Sequence, residues 1–442
     1  MSALLPSPPR ASHPLLSRLV RGLAVTGLAA GSLALAAPAA GAASRPDTAA
    51  RPVAAARGAS AADGSVGRLP ISFTVRNVNR SKFACASDGK TYTVRGHLVG
   101  PTAQLQGSAA AAATLYLHGL NFGEFLWQFT DVPGYDYATD QARAGNTSVI
   151  IDRLGYGASD KPAGNAICAG SRADIAHQMV LALKSGNYRV DGQNAPRFAR
   201  VALAGHSYGG QIAELEAYSF GDIDGLAVVS YTDQGSSALA ASSSAYTAKA
   251  CAAGGQPVAP GGPTGYAPYG NPNGAKAAVL NDATPLVAAA ALPKLTLNPC
   301  ADMLPFNDVA KLNLANIGAI KVPVLQIVGG GDQLFPASAG KRQAALFTGS
   351  SAVDLFTVPG AGHAITLQRS HDAFTEGFGS WLASLDGFDQ TAPSGGVGTG
   401  LGDGGTQQTG LIGAGLVALT AAVAAGAVAR RRSHAARAGS AG

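Results

Sequence analysis

The sequence G-H-S-Y-G at residues 205–209 constrains the fold of this chain more than any other feature. The residues before it, R-V-A-L-A, have the apolar character of a buried strand, and those after it, G-Q-I-A-E-L-E-A-Y, favour a helix. A strand that turns sharply into a helix needs glycine on both sides of Ser207, because the neighbouring backbone approaches too closely for a Cβ. The pentapeptide alone is weak in a chain with 58 glycines, but its position between a strand and a helix makes it specific.

Short apolar segments recur along the chain and alternate with segments of helical character. Two opening strands, separated by the turn S-D-G-K at 87–90, predict a hairpin. The later strands are continuous apolar runs, which is typical of strands buried on both faces. They are T-L-Y-L from residue 114, S-V-I-I-D from 148, the run before Ser207, L-A-V-V-S from 226, V-L-Q-I-V from 324 and D-L-F-T-V from 354. This order predicts an α/β fold with a mainly parallel sheet and helices on both faces.

About ninety residues separate the sixth predicted strand from the seventh, far more than the few residues that usually connect such elements. This stretch contains Cys251, Cys300 and several turns rich in proline and glycine. We therefore expect an inserted lid at residues 233–320, with helices in the ranges 236–252 and 275–292.

Both ends of the chain differ in composition from a globular domain. Three arginines precede an uncharged run at residues 22–44, which ends in small residues and predicts a secretory signal peptide at 1–43. An uncleaved signal anchor is the alternative, because the run is long enough to span a membrane. Residues 410–429 are uncharged and are followed by R-R-R, which predicts a transmembrane helix and a basic cytoplasmic tail at 430–442.

The remaining ranges complete the expected organisation. Residues 44–68 are predicted to be a flexible leader, 69–232 and 321–388 the two parts of the α/β core, and 389–409 a glycine-rich linker. The order of signal, domain, linker and span resembles that of Gram-positive cell-surface proteins. It implies an exported protein held at the extracellular face by its C-terminal segment.

The formal net charge of +6 does not indicate a nucleic-acid partner. Residues 1–68 and 391–442 hold 11 of the 32 Lys and Arg residues but only 3 of the 26 acidic ones, so the remainder is nearly neutral. The basic residues are interpreted as targeting and topology signals, and no basic face for nucleic acid is expected.

Four cysteines allow three disulfide pairings, and export makes disulfides plausible. We expect Cys251 to pair with Cys300, because both fall in the inserted segment, and Cys85 with Cys168. Free buried thiols are the alternative. The cysteines and histidines show no clustering typical of a metal site, so no metal is expected.

Four separated motifs resemble those of the α/β-hydrolase superfamily, over about residues 70–385. Beside the G-H-S-Y-G segment, they are H-G-L at 118–120, D-R-L-G-Y-G-A-S at 152–159, and G-D at 331–332 with G-H at 362–363. The resemblance implies an α/β-hydrolase fold with a mostly parallel eight-stranded sheet and a lid after strand 6. The order Ser, Asp, His is the one that this fold uses for a catalytic triad.

The resemblance assigns catalytic roles to Ser207, Asp332 and His363. A serine hydroxyl is too weak an acid to attack unaided, and it needs a neighbouring base such as His363 to take its proton. Asp332 would hydrogen-bond the other ring nitrogen and stabilise the imidazolium. Asp233, after the sixth strand, is the alternative acid.

The developing oxyanion needs main-chain donors, and the N–H groups of Leu120 and Tyr208 are the expected pair. Asn121, Phe122 and Trp127 are candidates for an apolar wall of the substrate pocket. Packing in the core is the alternative interpretation of these side chains, because pockets and cores share this composition.

These features predict a serine hydrolase that cleaves small-molecule carboxylic esters through an acyl-serine intermediate and requires no cofactor. Serine at position 207 argues against the epoxide hydrolases and haloalkane dehalogenases of this fold, which use Asp as nucleophile. A C–C hydrolase, a peptidase or a perhydrolase with the same triad is the first alternative. The second is a surface binding protein that keeps the scaffold without turnover.

Overall fold

The computed structural model describes residues 65–107, 109–271 and 278–388. The predicted signal peptide (1–43), glycine-rich linker (389–409), transmembrane helix (410–429) and basic tail (430–442) lie outside these residues. So does most of the predicted leader, up to residue 64. Across the three described ranges, no helix combines the length and the apolar character that crossing a membrane requires.

A nine-stranded sheet occupies the centre of the described structure, and its spatial strand order is β11-β10-β7-β6-β3-β4-β2-β1-β5. Strands β3, β4, β6, β7, β10 and β11 pair in parallel, whereas β1 and β2 form an antiparallel hairpin that joins the sheet at β4. Two short strands, β8 and β9, form a separate antiparallel pair. The strands are β1 (Val66–Arg76), β2 (Thr91–Pro101), β3 (Ala109–Leu117), β4 (Ser148–Asp152), β5 (Arg189–Val190), β6 (Arg197–His206), β7 (Gly225–Val229), β8 (Tyr266–Ala267), β9 (Asn298–Pro299), β10 (Val324–Gly329) and β11 (Val353–Val358).

Two details of the predicted sheet are wrong. The sheet has nine strands rather than eight, because the two-residue strand β5 pairs with β1 through Ile71 and Ser72. A two-residue strand is too short to produce a periodic pattern in the sequence. In addition, β1 begins at Val66, inside the predicted leader, since the hairpin ladder continues to the pair Val66 and Pro101.

The helix that follows Ser207, α4, lies in the core of the described structure. Every residue of α4 from Tyr208 to Tyr218 is buried, so the helix that follows Ser207 is enclosed on all sides. The helices are α1 (Thr102–Leu105), α2 (Tyr137–Arg143), α3 (Ala169–Ser185), α4 (Tyr208–Phe220), α5 (Ala238–Ala252), α6 (Pro285–Ala291), α7 (Cys300–Met303), α8 (Phe306–Asn316), α9 (Ala337–Ala344) and α10 (His371–Ala383).

The segment between β7 and β10, predicted as the lid, carries helices α5 to α8 and the pair β8 and β9. The helix predicted at 236–252 is present as α5, whose Ser237 side chain accepts a hydrogen bond from Ala240 N at 3.1 Å. Of the helix predicted at 275–292, residues 275–277 lie outside the described residues and 278–279 are helical. A separate helix, α6, begins at Pro285, where Thr284 caps it and the proline occupies its first turn.

Both expected disulfides are present. Cys85, in the connection between β1 and β2, is bonded to Cys168 at the start of α3, with a Cα–Cα distance of 6.2 Å. Cys251 in the last turn of α5 is bonded to Cys300 at the start of α7, with a Cα–Cα distance of 5.4 Å. The second bond ties α5 to α7 within the inserted segment.

Candidate active site

Ser207 occupies the turn between β6 and α4 and has a strained backbone, with φ of 54° and ψ of −124°. A Cβ on Gly205 would lie 2.2 Å from the carbonyl oxygen of Gly209. A Cβ on Gly209 would lie 2.3 Å from the carbonyl oxygen of Leu117. The two glycines are therefore required by close backbone contacts, as the pentapeptide predicts.

A continuous chain of hydrogen bonds joins three of the predicted site residues. His363 Nε2 lies 2.9 Å from Ser207 Oγ, and His363 Nδ1 lies 2.9 Å from Asp332 Oδ2. All three side chains are buried, with Ser207 only 8% exposed. The loops after β6, β10 and β11 carry them, and parallel strands bring these loops to the same edge of the sheet.

The Asp332 carboxylate is fixed by main-chain donors as well as by the imidazole. Its Oδ1 accepts hydrogen bonds from Leu334 N at 2.7 Å and Phe335 N at 3.1 Å. The Phe335 ring also stacks against His363, with a centroid distance of 5.7 Å. Asp332 is thus held in a single orientation towards the histidine.

The alternative acid, Asp233, lies in a different network. It accepts a hydrogen bond from the Tyr231 hydroxyl, and its N–H donates to Gln343. Burial raises the pKa of Asp233 to about 6 and also raises that of its neighbour Glu214 well above the usual range. The geometry pairs His363 with Asp332 rather than with Asp233.

The turn after β3 is held by two buried side chains. His118 Nε2 accepts a hydrogen bond from Arg153 N at 3.0 Å, so its Nδ1–H donates to the carbonyl of Gly119 at 2.8 Å. Arg153 also donates to that carbonyl, at 3.3 Å. Burial, with Arg153 adding to the effect, lowers the pKa of His118 well below its usual range, which favours this neutral tautomer.

Fixing the carbonyl of Gly119 also fixes the N–H of Leu120, because both belong to one planar peptide unit. A Cβ on Gly119 would lie 2.8 Å from Ser207 Cβ, so this peptide runs directly against the serine. The N–H of Leu120 has no hydrogen-bond acceptor within the described part of the chain. Tyr208 begins α4 and has no intrahelical acceptor for its N–H. Both predicted donors are therefore unoccupied beside Ser207.

His206, adjacent to Ser207 in sequence, makes a contact that the sequence did not predict. Its Nε2 lies 2.8 Å from the main-chain oxygen of His363, to which it can only donate. Burial, with His363 as a smaller cause, lowers the pKa of His206 well below the usual range. A neutral His206 thus anchors the backbone of the loop that carries His363.

A buried ion cluster lies beside the turn after β3 and was also not predicted from the sequence. Arg172 of α3 donates to Asp302 of α7, and Arg153 Nη1 lies 3.7 Å from the same carboxylate. The hydroxyls of Tyr156 and Tyr208 donate to it at 3.0 and 3.3 Å. No local motif marks Asp302, because its partners come from sequence positions 94 to 149 residues away.

The three candidate substrate-contacting residues are buried and contact other side chains of the protein. Asn121 Oδ1 accepts from Asn298 Nδ2 at 2.7 Å, and Asn121 N donates to Asn298 Oδ1 at 2.6 Å. Phe122 packs against His206 at 5.6 Å, and Trp127 against Tyr116 at 4.9 Å, and neither is more than 1% exposed. Packing accounts for both rings, and they offer no exposed surface to a substrate in this conformation.

The inserted segment contacts the turn after β3 and the loops after β10 and β11. Besides the bonds between Asn298 and Asn121, Asn281 Nδ2 donates to the carbonyl of Gly331 at 3.1 Å, beside Asp332. The N–H of Ala364, beside His363, donates to the carbonyl of Val279 at 2.9 Å. These contacts explain why Ser207 and His363 are nearly inaccessible.

The arrangement of strands, the strained serine and its hydrogen-bonded histidine are those of an α/β hydrolase. The sequence model of the alpha/beta hydrolase family matches residues 115–376, more than half of the chain, and the chain belongs to that family. The predicted α/β-hydrolase fold, with its mostly parallel sheet, is confirmed. No curated protein sequence matches the chain.

Several solved structures resemble the chain. A thermophilic esterase from Thermogutta terrifontis, with malate bound, is 16% identical over 71% of this chain and 98% of its own, with a TM-score of 0.48. A monoacylglycerol lipase from Paleococcus ferrophilus is 20% identical over 63% and 96%, with a TM-score of 0.46. An enol-lactonase from Burkholderia xenovorans LB400 is 17% identical over 68% and 99%, with a TM-score of 0.46. The chain therefore spans nearly the full length of each of these proteins.

Proposed function

We propose that the protein is a serine hydrolase that cleaves carboxylic esters through an acyl-serine intermediate. One observation carries the proposal, the hydrogen-bonded series Ser207 Oγ, His363 Nε2 and Nδ1, and Asp332 Oδ2, with both contacts at 2.9 Å. A serine in an ordinary turn needs neither a strained backbone nor an imidazole at its hydroxyl, whereas an activated nucleophile needs the imidazole.

In the first half of the reaction, Ser207 Oγ attacks the ester carbonyl carbon while its proton passes to His363 Nε2. The imidazolium is stabilised by Asp332, and the tetrahedral oxyanion accepts hydrogen bonds from the N–H groups of Leu120 and Tyr208. Collapse of the intermediate breaks the bond to the alcohol oxygen. His363 returns the proton to that oxygen, and the alcohol leaves an acyl-serine behind.

In the second half, His363 takes a proton from a water molecule, whose oxygen attacks the acyl carbon. The same two N–H groups stabilise the second oxyanion. Its collapse breaks the bond to Ser207 Oγ, which regains a proton from His363, and the carboxylic acid is released. Every proton in the cycle is carried by His363, so no cofactor takes part in the proposed steps.

A fluorophosphonate probe tests this proposal directly, because it reacts covalently only with an activated serine. We expect the full-length protein to be labelled at Ser207 and Ser207→Ala to remain unlabelled. Ser230→Ala is the matched control, because Ser230 also follows a strand, has a positive φ of 49° and is 1% exposed. Its labelling should equal that of the unchanged protein.

A panel of p-nitrophenyl esters with acyl chains of increasing length then measures turnover. Hydrolysis that Ser207→Ala abolishes supports the ester hydrolase. Labelling without ester turnover would favour the C–C hydrolase, peptidase or perhydrolase alternatives. Absence of labelling in the folded, unchanged protein would contradict the proposal and favour a binding protein.

We further propose that the protein is exported and tethered at the cell surface. The proposal rests on the composition of residues 1–43 and 410–432 and on the two disulfides, which persist in oxidising compartments. Protease treatment of intact cells that express the full chain should remove the α/β core while leaving a cytoplasmic control protein intact. Survival of the core on intact cells, with its cleavage after lysis, would contradict the proposal.

A further inference from the structure

Three potential metal ligands converge where α3 meets the C-terminal end of α4. They are His177 in α3, Glu216 in α4 and Asp222 just after α4, and one ligand atom from each lies within 4.8 Å of the others. His177 Nδ1 lies 2.7 Å from Asp222 Oδ2, and the imidazole stacks on Phe220 with a centroid distance of 4.1 Å. The stacking fixes the plane of the ring and directs its nitrogen towards the two carboxylates.

Glu216 is the unusual member of this group. Its side chain is completely buried, and neither carboxylate oxygen has a hydrogen-bond partner in the described structure. One oxygen of Asp222 is likewise buried and unpartnered. Burying a charged carboxylate without hydrogen bonds or a counter-charge costs several kcal/mol, so this position favours either a bound cation or a proton on the carboxyl group.

The neighbouring cation, Lys184, compensates Glu216 only through its charge at a distance. Lys184 Nζ lies 2.8 Å from Asp224 Oδ2 and donates to the main-chain oxygen of Asp222 at 2.5 Å. Its closest contacts are therefore with other groups, and it makes no hydrogen bond to Glu216. Asp224 is itself shared between Lys184 and Arg200.

We propose that His177, Glu216 and Asp222 bind a divalent transition-metal ion, with Zn²⁺ as the representative ion. One imidazole nitrogen and two carboxylate oxygens form a mixed donor set that suits Zn²⁺ or Mn²⁺ better than Ca²⁺ or Mg²⁺, which prefer oxygen ligands alone. The side chains of His177 and Asp222 are 15% and 18% exposed, which gives an ion and its remaining water ligands access from solvent.

The site is structural rather than part of the proposed ester hydrolysis. Glu216 lies nine residues after Ser207 along α4, about 13 Å at a rise of 1.5 Å per residue. An ion held here links the middle of α3 to the last turn of α4. We expect it to raise the melting temperature without taking part in acyl transfer.

A proton is the competing occupant of the site. Burial raises the pKa of Glu216 well above its usual range, and Asp222 adds to the effect. Metal binding must displace such a proton, so the affinity for Zn²⁺ should increase with pH and binding should release protons. Both effects are measurable by titration calorimetry in buffers with different ionisation enthalpies.

The test uses untagged full-length protein stripped with EDTA and then titrated with ZnCl₂. We expect one equivalent of tightly bound Zn²⁺ and a higher melting temperature in its presence. Glu216→Gln should weaken binding at least about 100-fold, because it removes a ligand and its charge. His177→Gln is the second variant. His177 is more exposed than Glu216, so this variant should fold even if Glu216→Gln does not.

Asp372→Asn is the matched control, because Asp372 contacts a ring nitrogen of His371 at 3.2 Å but belongs to no group of three potential ligands among the described residues. It should leave the Zn²⁺ stoichiometry and affinity unchanged. Equal Zn²⁺ binding by Glu216→Gln, by His177→Gln and by the unchanged protein would mean an adventitious ion elsewhere and overturn the proposal. Failure of the unchanged protein to bind one equivalent of Zn²⁺ tightly would also overturn the proposal. If, in addition, Glu216→Gln is more stable than the unchanged protein, the occupant of the site is a proton.

Discussion

Arg172 of α3 and Asp302 of α7 form a buried ion pair that connects the inserted segment to the core next to the turn after β3. Arg153, which holds the Gly119 carbonyl, faces the same carboxylate. Residues from the inserted segment and from the core thus belong to one cluster of charged side chains. The position of the proposed oxyanion donor at Leu120 therefore depends on how the inserted segment docks.

Replacing Asp302 by Ala should lower both stability and activity. The change leaves two buried guanidinium groups with one counter-charge fewer, and breaking a buried pair costs about 3–5 kcal/mol. We expect that loss in urea denaturation, together with a fall in kcat for any ester that the protein cleaves. Asp308→Asn, which affects an exposed pair with Lys311 on α8, should change stability by less than about 0.5 kcal/mol. An Asp302→Ala protein as stable as the control would show that the pair is not needed.

Replacing Asp332 by Asn should lower kcat by about 10⁴-fold while the protein stays folded. The side-chain oxygen of Asn can still accept from Leu334 and Phe335, so the loop is preserved. Its amide would donate to His363 Nδ1, which puts the imidazole proton on Nε2 and removes the base from Ser207. Steady-state kinetics, with circular dichroism as the folding check, measure this.

Asp233→Asn is the matched comparison for that substitution, because Asp233 is the alternative acid and does not contact His363. We expect it to reduce kcat far less than Asp332→Asn. The reverse ranking of the two variants would assign the acid to Asp233.

The stability of the protein should depend on pH through Asp233. Its pKa is about 6 in the folded state and about 3.9 when unfolded, so the folded state holds a proton that the unfolded state has lost between these values. This contribution is complete below about pH 4 and is lost as the pH rises through about 6. Relative to the unchanged protein, Asp233→Asn should therefore gain stability between pH 4 and 7, and the size of the gain reports on both Asp233 and Glu214, because each carboxyl affects the pKa of the other. Urea denaturation of both proteins across this range checks it, and parallel pH curves would refute it.

Removing the disulfide between Cys251 and Cys300 should destabilise the protein. The bond closes a loop with a sequence separation of 49, for which chain entropy predicts about 4 kcal/mol. Replacing both cysteines by Ala should lower the denaturation midpoint in urea and make the inserted segment an early site of proteolysis. A midpoint equal to that of the unchanged protein, measured without reductant, would show that the bond contributes no stability.

The sequence by itself determined the order of strands and helices in the core, because continuous apolar runs and a G-x-S-x-G turn are local signals. The cysteine pairing was inferred from the position of Cys251 and Cys300 in one inserted segment. Ser207, Asp332 and His363 were predicted as neighbours from motifs at the ends of parallel strands. Local patterns were sufficient for this prediction because parallel strands bring the loops that follow them to one edge of the sheet.

Only the tertiary structure revealed the roles of His206 and Asp302, the burial of Trp127 in the core, and the unpartnered Glu216. Each depends on partners that are distant in sequence, such as Asp302 and Arg172, which are 130 residues apart. Ion pairs and hydrogen bonds between buried side chains leave no periodic trace along a chain, because they require only proximity in the folded state. The short strand β5 was not predicted for a related reason, because its pairing with β1 determines its conformation.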